Sequence, residues 1–399
     1  FRTGSSTLTA AIELVDEIYE AFDERKIVGV CFLDLRKAFD TIEHDVLLKK
    51  LDCHGVRGKS NDLIKDYLTD RKQYVVTNGA CSDVRGMSVG VPQGSNLGPL
   101  LFLVYINDLY KLKLHGKPRL FADDTSLSYV GIEADSIVEK MTEDLNKLLG
   151  YFAENVLSLN LSKTNFMLFH TPHRTLDPYR ELIVNSTRIE EAETFKYLGL
   201  IFDRHLKWTP HIKCLQRSLS STCGLLWKVS KYVPTKQLVD MYHAFVQSKL
   251  QYLVSIWGNA AKTALKPLQS TQNRCLKAVF RKPRLHATLE LFNDAPPSIL
   301  PVLALSHLQS LLQVHNMLFK PKAHHNQSLE KVNHKYTLRS KGNLVLKRPR
   351  TEAGKTTFAY QAKKAHNALP ANLKSERNFQ KFKGEVKVLI RSRLSSFLI

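Results

Sequence analysis

Asp123 and Asp124 stand side by side in Arg119-Leu120-Phe121-Ala122-Asp123-Asp124-Thr125-Ser126-Leu127, with apolar residues around them and no immediate neighbour to neutralise them. The flanks read as strand, tight turn, strand. Burying one uncompensated carboxylate is costly and burying two far more so, so adjacent aspartates at a turn suit solvent or a divalent cation. On these residues alone a solvated turn or a helix cap is the commoner account of such a pair. A metal site needs further hard ligands, and the chain offers one: Ile27 to Leu35 is a nearly continuous apolar strand, IVGVCFLDL, whose one charge is Asp34. A carboxylate at the end of a buried strand is expensive unless it is paired or bound to metal.

Between these acids lies Gly90-Val91-Pro92-Gln93-Gly94-Ser95-Asn96-Leu97-Gly98-Pro99, a glycine-punctuated loop that runs into the apolar stretch Leu100 to Leu109. Proline at the first turn and the apolar continuation predict a buried helix. Such a loop lets backbone approach a ligand closely and leaves helix N-terminal amides free. A tight turn before a core helix would explain the glycines but not Gln93. After the acid pair, Leu157 to Thr164 and Asn165 to Phe169 read as strand-like pieces around Lys163, and Phe195 to Phe202 as a further strand in which Gly199 permits close backbone approach.

The elements that must position these residues are legible from periodicity. Residues 6–24 form an amphipathic helix with Leu8, Ala11, Ile12, Val15, Ile18, Tyr19 and Phe22 inward and acids on the other face. The segment 36–51 is helical at least in part, and a second helix covers 61–68. Asn78-Gly79, between Gln73–Thr77 and Ala80–Val84, is the preferred pair of a type I′ hairpin. Helices are predicted at 134–153, 211–231, 235–256 and 262–280. The segment 281–301, with four prolines, reads as a linker.

The length of 399 residues allows two or three domains, and 43% apolar content is ordinary for a globular protein. The formal charge of +21 is not ordinary and points to a polyanionic partner such as nucleic acid. From residue 320 onward, 19 Lys and Arg face 4 Glu and no Asp, interspersed with Tyr336, Phe358, Tyr360, Phe379 and Phe382; nucleic-acid contact and a solvated tail both fit. No apolar run is long enough to cross a bilayer, and six scattered cysteines fit a reducing intracellular compartment. His205, His211 and Cys214 are close in sequence but lack convincing zinc spacing.

Five ordered segments, FLDLRKAFD, GVPQGSNLGPLLFLVYIND, LFADDTSL, LNLSKTNFMLF and YLGLIFD, together resemble palm motifs A to E of a reverse transcriptase. The nearest kind is the polymerase of non-LTR (LINE-type, jockey-like) retrotransposons. The resemblance implies an α+β fold: a right-hand palm, an antiparallel sheet with helices on one face, followed by a helical thumb and a basic C-terminal region. The expected domains are a fingers remnant (1–29), palm with part of the fingers (30–204), thumb (205–285) and basic region (286–399).

By the same resemblance Asp34, Asp123 and Asp124 hold two Mg²⁺ ions, with Mn²⁺ possible in their place, for nucleotidyl transfer. Lys163 is the candidate general acid for pyrophosphate. Phe39 closes the space beside the nucleotide 2′ carbon, Gln93 and Gly94 contact nucleotide and template, and Tyr197, Leu198 and Gly199 form the primer grip. The implied partners are an RNA template, a DNA primer and deoxynucleoside triphosphates, with no membrane, in the cytoplasm with nuclear access. Asn96 departs from the apolar residue expected there. The fingers motifs and the endonuclease that precede the polymerase in this group are expected to be missing, which makes the chain a C-terminal fragment. Viral RNA-dependent RNA polymerases and group II intron maturases are rivals sharing the palm; Gln93-Gly94, Ala122 and Phe39 disfavour the former, and the C-terminal region the latter. A truncated remnant that binds nucleic acid without catalysis is the alternative from another class.

Overall fold

The computed structural model describes residues 6–122, 124–319, 329 and 342–399, and Asp123 and Tyr336 lie outside these described residues. Two compact units divide the chain. The first holds 27–168 and 173–192; the second holds the described residues before 27, 169–172 and those from 193 onward.

Helix α1 (Thr7–Asp23) opens the described chain and belongs to the second unit. The first unit begins with β1 (Ile27–Leu33), in which every residue is buried. Helices α2 (His44–Cys53) and α3 (Lys59–Leu68) follow. Four short strands come next, β2 (Arg71–Gln73), β3 (Val76–Thr77), β4 (Ala80–Cys81) and β5 (Arg85–Met87), paired as two ribbons. The inner ribbon closes on Asn78 and Gly79 with φ of 47° and 82°, the two positive values a type I′ turn requires. Helix α4 (Gly98–Ile106) continues into a 3-10 turn, Asn107–Lys111. After it come β6 (Lys117–Phe121), β7 (Asp124–Gly131), α5 (Ala134–Glu154), β8 (Asn165–Phe169), β9 (Ile183–Val184), β10 (Thr187–Arg188) and β11 (Glu190–Glu191).

One sheet organises this unit, with strand order β11-β8-β1-β7-β6. β1 and β7 run antiparallel from Ile27 opposite Gly131 to Leu33 opposite Thr125. Ile137, Met141, Leu145 and Leu148, at helical spacing on α5, are fully buried beneath it. A Cβ on Gly29 of β1 would stand 2.4 Å from Ile137 and Met141, so the missing side chain is what lets helix and strand close up. Buried Asp144 ties the layers together. Its carboxylate accepts the amides of His115 (3.1 Å) and Gly116 (2.8 Å) and the Tyr129 hydroxyl (3.1 Å).

The second unit continues with the hairpin β12 (Thr194–Tyr197) and β13 (Leu200–Asp203), then α6 (Thr209–Val229), α7 (Thr235–Tyr242), a π turn (His243–Gln247), α8 (Ser248–Gln251), α9 (Val254–Trp257), α10 (Lys262–Val279), α11 (Thr288–Asp294) and α12 (Val302–Phe319). Four helices close it: α13 (Glu352–Thr356), α14 (Phe358–Asn367), α15 (Ala371–Ser375) and α16 (Phe379–Arg391). Asp16 of α1 is buried and accepts the amides of Phe358 (2.6 Å) and Ala359 (3.1 Å), a carboxylate set against the positive N-terminus of α14. No described helix is long and apolar enough to cross a membrane.

Several expectations change. Residues 195–202 are a hairpin and not one strand, because Leu198 and Gly199 take φ of 47° and 78° and fold Tyr197 back onto Leu200. The helix expected from residue 36 starts at His44; Lys37, with φ of 47°, breaks the stretch before it into a turn. Leu157–Thr164 makes a single bridge, Leu159 to Leu35, before Asn160 turns the chain. α4 ends at Ile106 and leaves Leu100 half exposed, so it is not buried all round. β11 runs parallel to β8, so the sheet is not wholly antiparallel. The supposed linker 281–301 carries α11 and buries Leu291, Phe292, Ile299 and Leu300. Gln272 of α10 accounts for that order: its Nε2 donates to the Tyr242 hydroxyl and to the Leu300 carbonyl, both at 2.9 Å. Phe358 and Phe382 of the basic region are buried, which a solvated tail would not allow.

Candidate active site

The chain leaves the buried strand β1 at Leu33, and Asp34 is the first residue beyond it. β6 and β7 pair down to Phe121 opposite Asp124, so only two residues connect them, with Ala122 at a φ of 54°. A two-residue hairpin loop needs that left-handed geometry. Leu33 faces Thr125, and one further step in the same register is Asp34 opposite Asp124. Two carboxylates from distant parts of the sequence therefore sit at the same end of neighbouring strands. Asp124 is exposed and Asp34 is half exposed.

Asp34 is held from the other side by the segment 157–164. Its carbonyl accepts the Asn160 amide (2.8 Å), and its Oδ2 accepts the Asn160 side-chain amide (3.1 Å). Lys163 Nζ lies 3.9 Å from the same oxygen. Ser162 donates to Asn160 Oδ1 (2.8 Å), which fixes the amide with its NH₂ toward Asp34. Asp34 Oδ1 has no partner among the described residues. Asn160 was not singled out by sequence reasoning; its place three residues before Lys163 was the available signal.

The Gln93 loop is stitched to the turn that follows Asp34. Gly90 donates to the Ile42 carbonyl (2.7 Å) and Val91 to that of Phe39 (2.9 Å), and Gln93 Nε2 donates to Asp40 Oδ1 (2.8 Å). Gly90 has a φ of +86°, and a Cβ there would fall 2.8 Å from the Asp40 carbonyl, so glycine is required. Gly94, at φ +80°, opens onto empty space, and Asn96 is exposed. Ser95 takes the place of a cap, accepting the Gly98 amide (2.9 Å) and donating to the Pro92 carbonyl (2.8 Å). The half-buried Phe39 ring rests on the fully buried ring of Phe102, with centroids 4.8 Å apart.

Behind the loop, Lys50 donates to the Tyr105 carbonyl and to Asp108 (2.9 Å), which also accepts the Tyr151 hydroxyl (2.5 Å). Partial burial raises the Asp108 pKa, but the Tyr151 hydrogen bond and Lys50 outweigh it and leave the carboxyl below its ordinary value. This network pins α2 and α5 to the 3-10 turn after α4. No local pattern around Lys50, Asp108 or Tyr151 announces it.

The first unit thus brings together Asp34, Asp124, Lys163, Phe39, Gln93 and Gly94. Asp123 is outside the described residues, and no group of three His, Cys, Asp or Glu side chains among the described ones forms a metal-binding cluster. Two exposed carboxylates suit a hard, oxygen-preferring cation, and an uncommitted Oδ1 on Asp34 is the donor such an ion takes. Tyr197, Leu198 and Gly199 lie in the second unit, in the β12–β13 turn, where Tyr252 donates to the Leu198 carbonyl (2.9 Å). His211, in the same unit, is pushed down to about 4 by burial and accepts the Ile201 amide, a structural role.

The family model described as reverse transcriptase (RNA-dependent DNA polymerase) matches residues 1–202. The chain belongs to the reverse transcriptase family. Among its relatives, a probable RNA-directed DNA polymerase from transposon BS of Drosophila melanogaster is 32% identical over 298 residues, covering 70% of this chain and 32% of that protein. The RNA-directed DNA polymerase from mobile element jockey of Drosophila funebris is 28% identical over 309 residues, 74% of this chain and 33% of that one. A Pol polyprotein from the type-1 retrotransposable element R2 of Popillia japonica is 33% identical over 194 residues, 44% of this chain and 31% of that protein. The chain spans about one third of the length of the relatives it matches.

Proposed function

We propose that the chain carries the RNA-directed DNA polymerase of a jockey-like non-LTR retrotransposon, extending a DNA primer on an RNA template. The observation that supports this reading is the register of β1 and β7, which brings Asp34 and Asp124 to the same end of neighbouring strands. Asp34, Asp123 and Asp124 would hold Mg²⁺ or Mn²⁺. Two such ions lower the barrier to nucleotidyl transfer by activating the primer hydroxyl and neutralising charge on the phosphates.

The chain's own residues do the rest. Asn160 orients the Asp34 carboxylate through Oδ2. Lys163, mostly exposed and 3.9 Å from Asp34, would give a proton to the leaving pyrophosphate. Phe39, braced by Phe102, would bar a 2′-hydroxyl, and the open backbone at Gly94 would admit nucleotide and template. In this reading residues 30–204 are palm with part of the fingers, 205–285 the thumb and 286–399 a basic region contacting nucleic-acid phosphates, with the Tyr197–Gly199 turn as primer grip.

The test is extension of oligo-dT on poly-rA with dTTP and Mg²⁺, comparing the chain with Asp123→Asn. Incorporation that disappears in the variant supports the reading. Incorporation equal in both sinks it, as does none in either while salt-sensitive RNA binding persists.

A further inference from the structure

A second site lies in the other unit, among α9, α10, α12, α14 and the end of the chain. A pocket of about 370 Å³ opens there, within the range of small-ligand sites. Lys262, the first residue of α10, and Lys364 of α14 both line it, and neither ion-pairs with a described residue. Among the described residues no carboxylate side chain lines it.

Ser306 and Ser310, one turn apart on α12, are 3% and 5% exposed and also line the pocket. Their hydroxyls have no hydrogen-bond partner among the described residues, not even the carbonyl one turn back that a mid-helix serine ordinarily finds. Two hydroxyls without a described partner, on residues that line the cavity, can donate to an acceptor held there. Gly258 is part of the construction: a Cβ there would fall 2.7 Å from Ser306, so only glycine lets the end of α9 approach α12 this closely. The N-terminus of α10 has no side-chain cap, so its amide dipoles also favour negative charge at Lys262. His307, on the same wall, packs against Phe397 with ring centroids 5.4 Å apart. Burial lowers the His307 pKa, so the ring is neutral near pH 7 and the cationic charge of the pocket comes from the lysines.

We propose that this pocket binds a phosphate monoester or diester, with Lys262 and Lys364 countering its charge and Ser306 and Ser310 donating to its oxygens. The source is either a free mononucleotide or phosphate, or the backbone of an RNA strand. The site shares no residue with the carboxylate centre of the first unit, and its strand-phosphate arm rests on the reading of 286–399 as a region that contacts nucleic acid.

Calorimetric titration in the absence of divalent metal decides, using inorganic phosphate, adenosine monophosphate and an RNA decamer. The proteins are the full chain, Lys262→Ala/Lys364→Ala, Ser306→Ala/Ser310→Ala and a control, Lys231→Ala/Lys236→Ala, which removes two exposed lysines elsewhere in the same unit. At least one ligand should bind tenfold or more weakly to the lysine pair, threefold or more weakly to the serine pair and within twofold of normal to the control. A response confined to the decamer identifies a strand phosphate; a response to the small ligands identifies a free one. If neither pair departs from the control, or the lysine pair alone does, the pocket is not a phosphate site. Without metal or triphosphate in the cell, failure here leaves the polymerase assay untouched, and the reverse also holds.

Discussion

The first unit contains two kinds of acid. Asp144 is fully buried, and its two oxygens take up two backbone amides and a tyrosine hydroxyl; Asp108 is bound by Lys50 and Tyr151. Asp34 and Asp124 sit at strand ends in contact with solvent, and Asp34 keeps one oxygen uncommitted. The side chain is the same in all four. Enclosed acids have their lone pairs consumed by the fold, whereas Asp34 is held through one oxygen and keeps the other available to a cation.

Exchange of carboxylate for amide tests that contrast most strongly. Asp34→Asn and Asp124→Asn should each lower dTTP incorporation on poly-rA by on the order of a thousandfold, because groups acting as one catalytic unit fail together. Their thermal midpoints should stay close to that of the parent chain. Asp144→Ala should behave in the opposite sense, with loss of about 3 kcal/mol of stability in urea unfolding as the buried Gly116 amide and Tyr129 hydroxyl, together with the His115 amide, lose their acceptor. A stable Asp144→Ala chain, or an unfolded Asp124→Asn chain, would erase the distinction.

A half-open ring extends the comparison from acids to aromatics. Phe102 is fully buried, while Phe39 lies over it and shows a face to solvent. Phe39→Ala should raise the ratio of ribonucleotide to deoxynucleotide incorporation roughly tenfold, the worth of about 1.4 kcal/mol of discrimination. An unchanged ratio with lower stability would move Phe39 to the enclosed class. Asn160→Ala should reduce incorporation several-fold with little change in midpoint, since it orients Asp34 without meeting substrate; loss as complete as in Asp34→Asn would show that it does more.

How far these classes were legible in the sequence follows from the range of the forces involved. Asp34 was visible because one charge interrupts an apolar strand, and the Asn78-Gly79 turn because its φ values demand those residue types. The hairpin at Leu198 was hidden, because a bulky residue at positive φ is what local preference disfavours. There the partner is Tyr252, 54 residues away, whose hydroxyl donates to the Leu198 carbonyl. Asp16 resembled every other acid on the polar face of α1 until the amides of Phe358 and Ala359, over 340 residues later, made it a buried cap. The linker at 281–301 was misread for the same reason, since the Gln272 side chain that orders it lies outside the segment. Local pattern reveals what a residue costs. It does not reveal which distant group compensates.

Asp108 gives the smallest and sharpest test, because it sits between the two classes: hydrogen-bonded, yet about a third exposed. Its folded-state pKa is lowered by Tyr151 and Lys50 against the effect of burial. A depressed carboxylate stabilises the fold fully above the unfolded-state pKa, near 3.9, and the contribution fades as pH falls through the lower folded-state value. The stability difference between the chain and Asp108→Asn should therefore be constant from about pH 7 to about pH 5 and shrink below about pH 4. Urea unfolding of both proteins across that range measures it. A difference that stays constant to pH 3 would mean that the amide loses shape and not charge. Asp108 would then hold the turn after α4 as a hydrogen-bond acceptor alone.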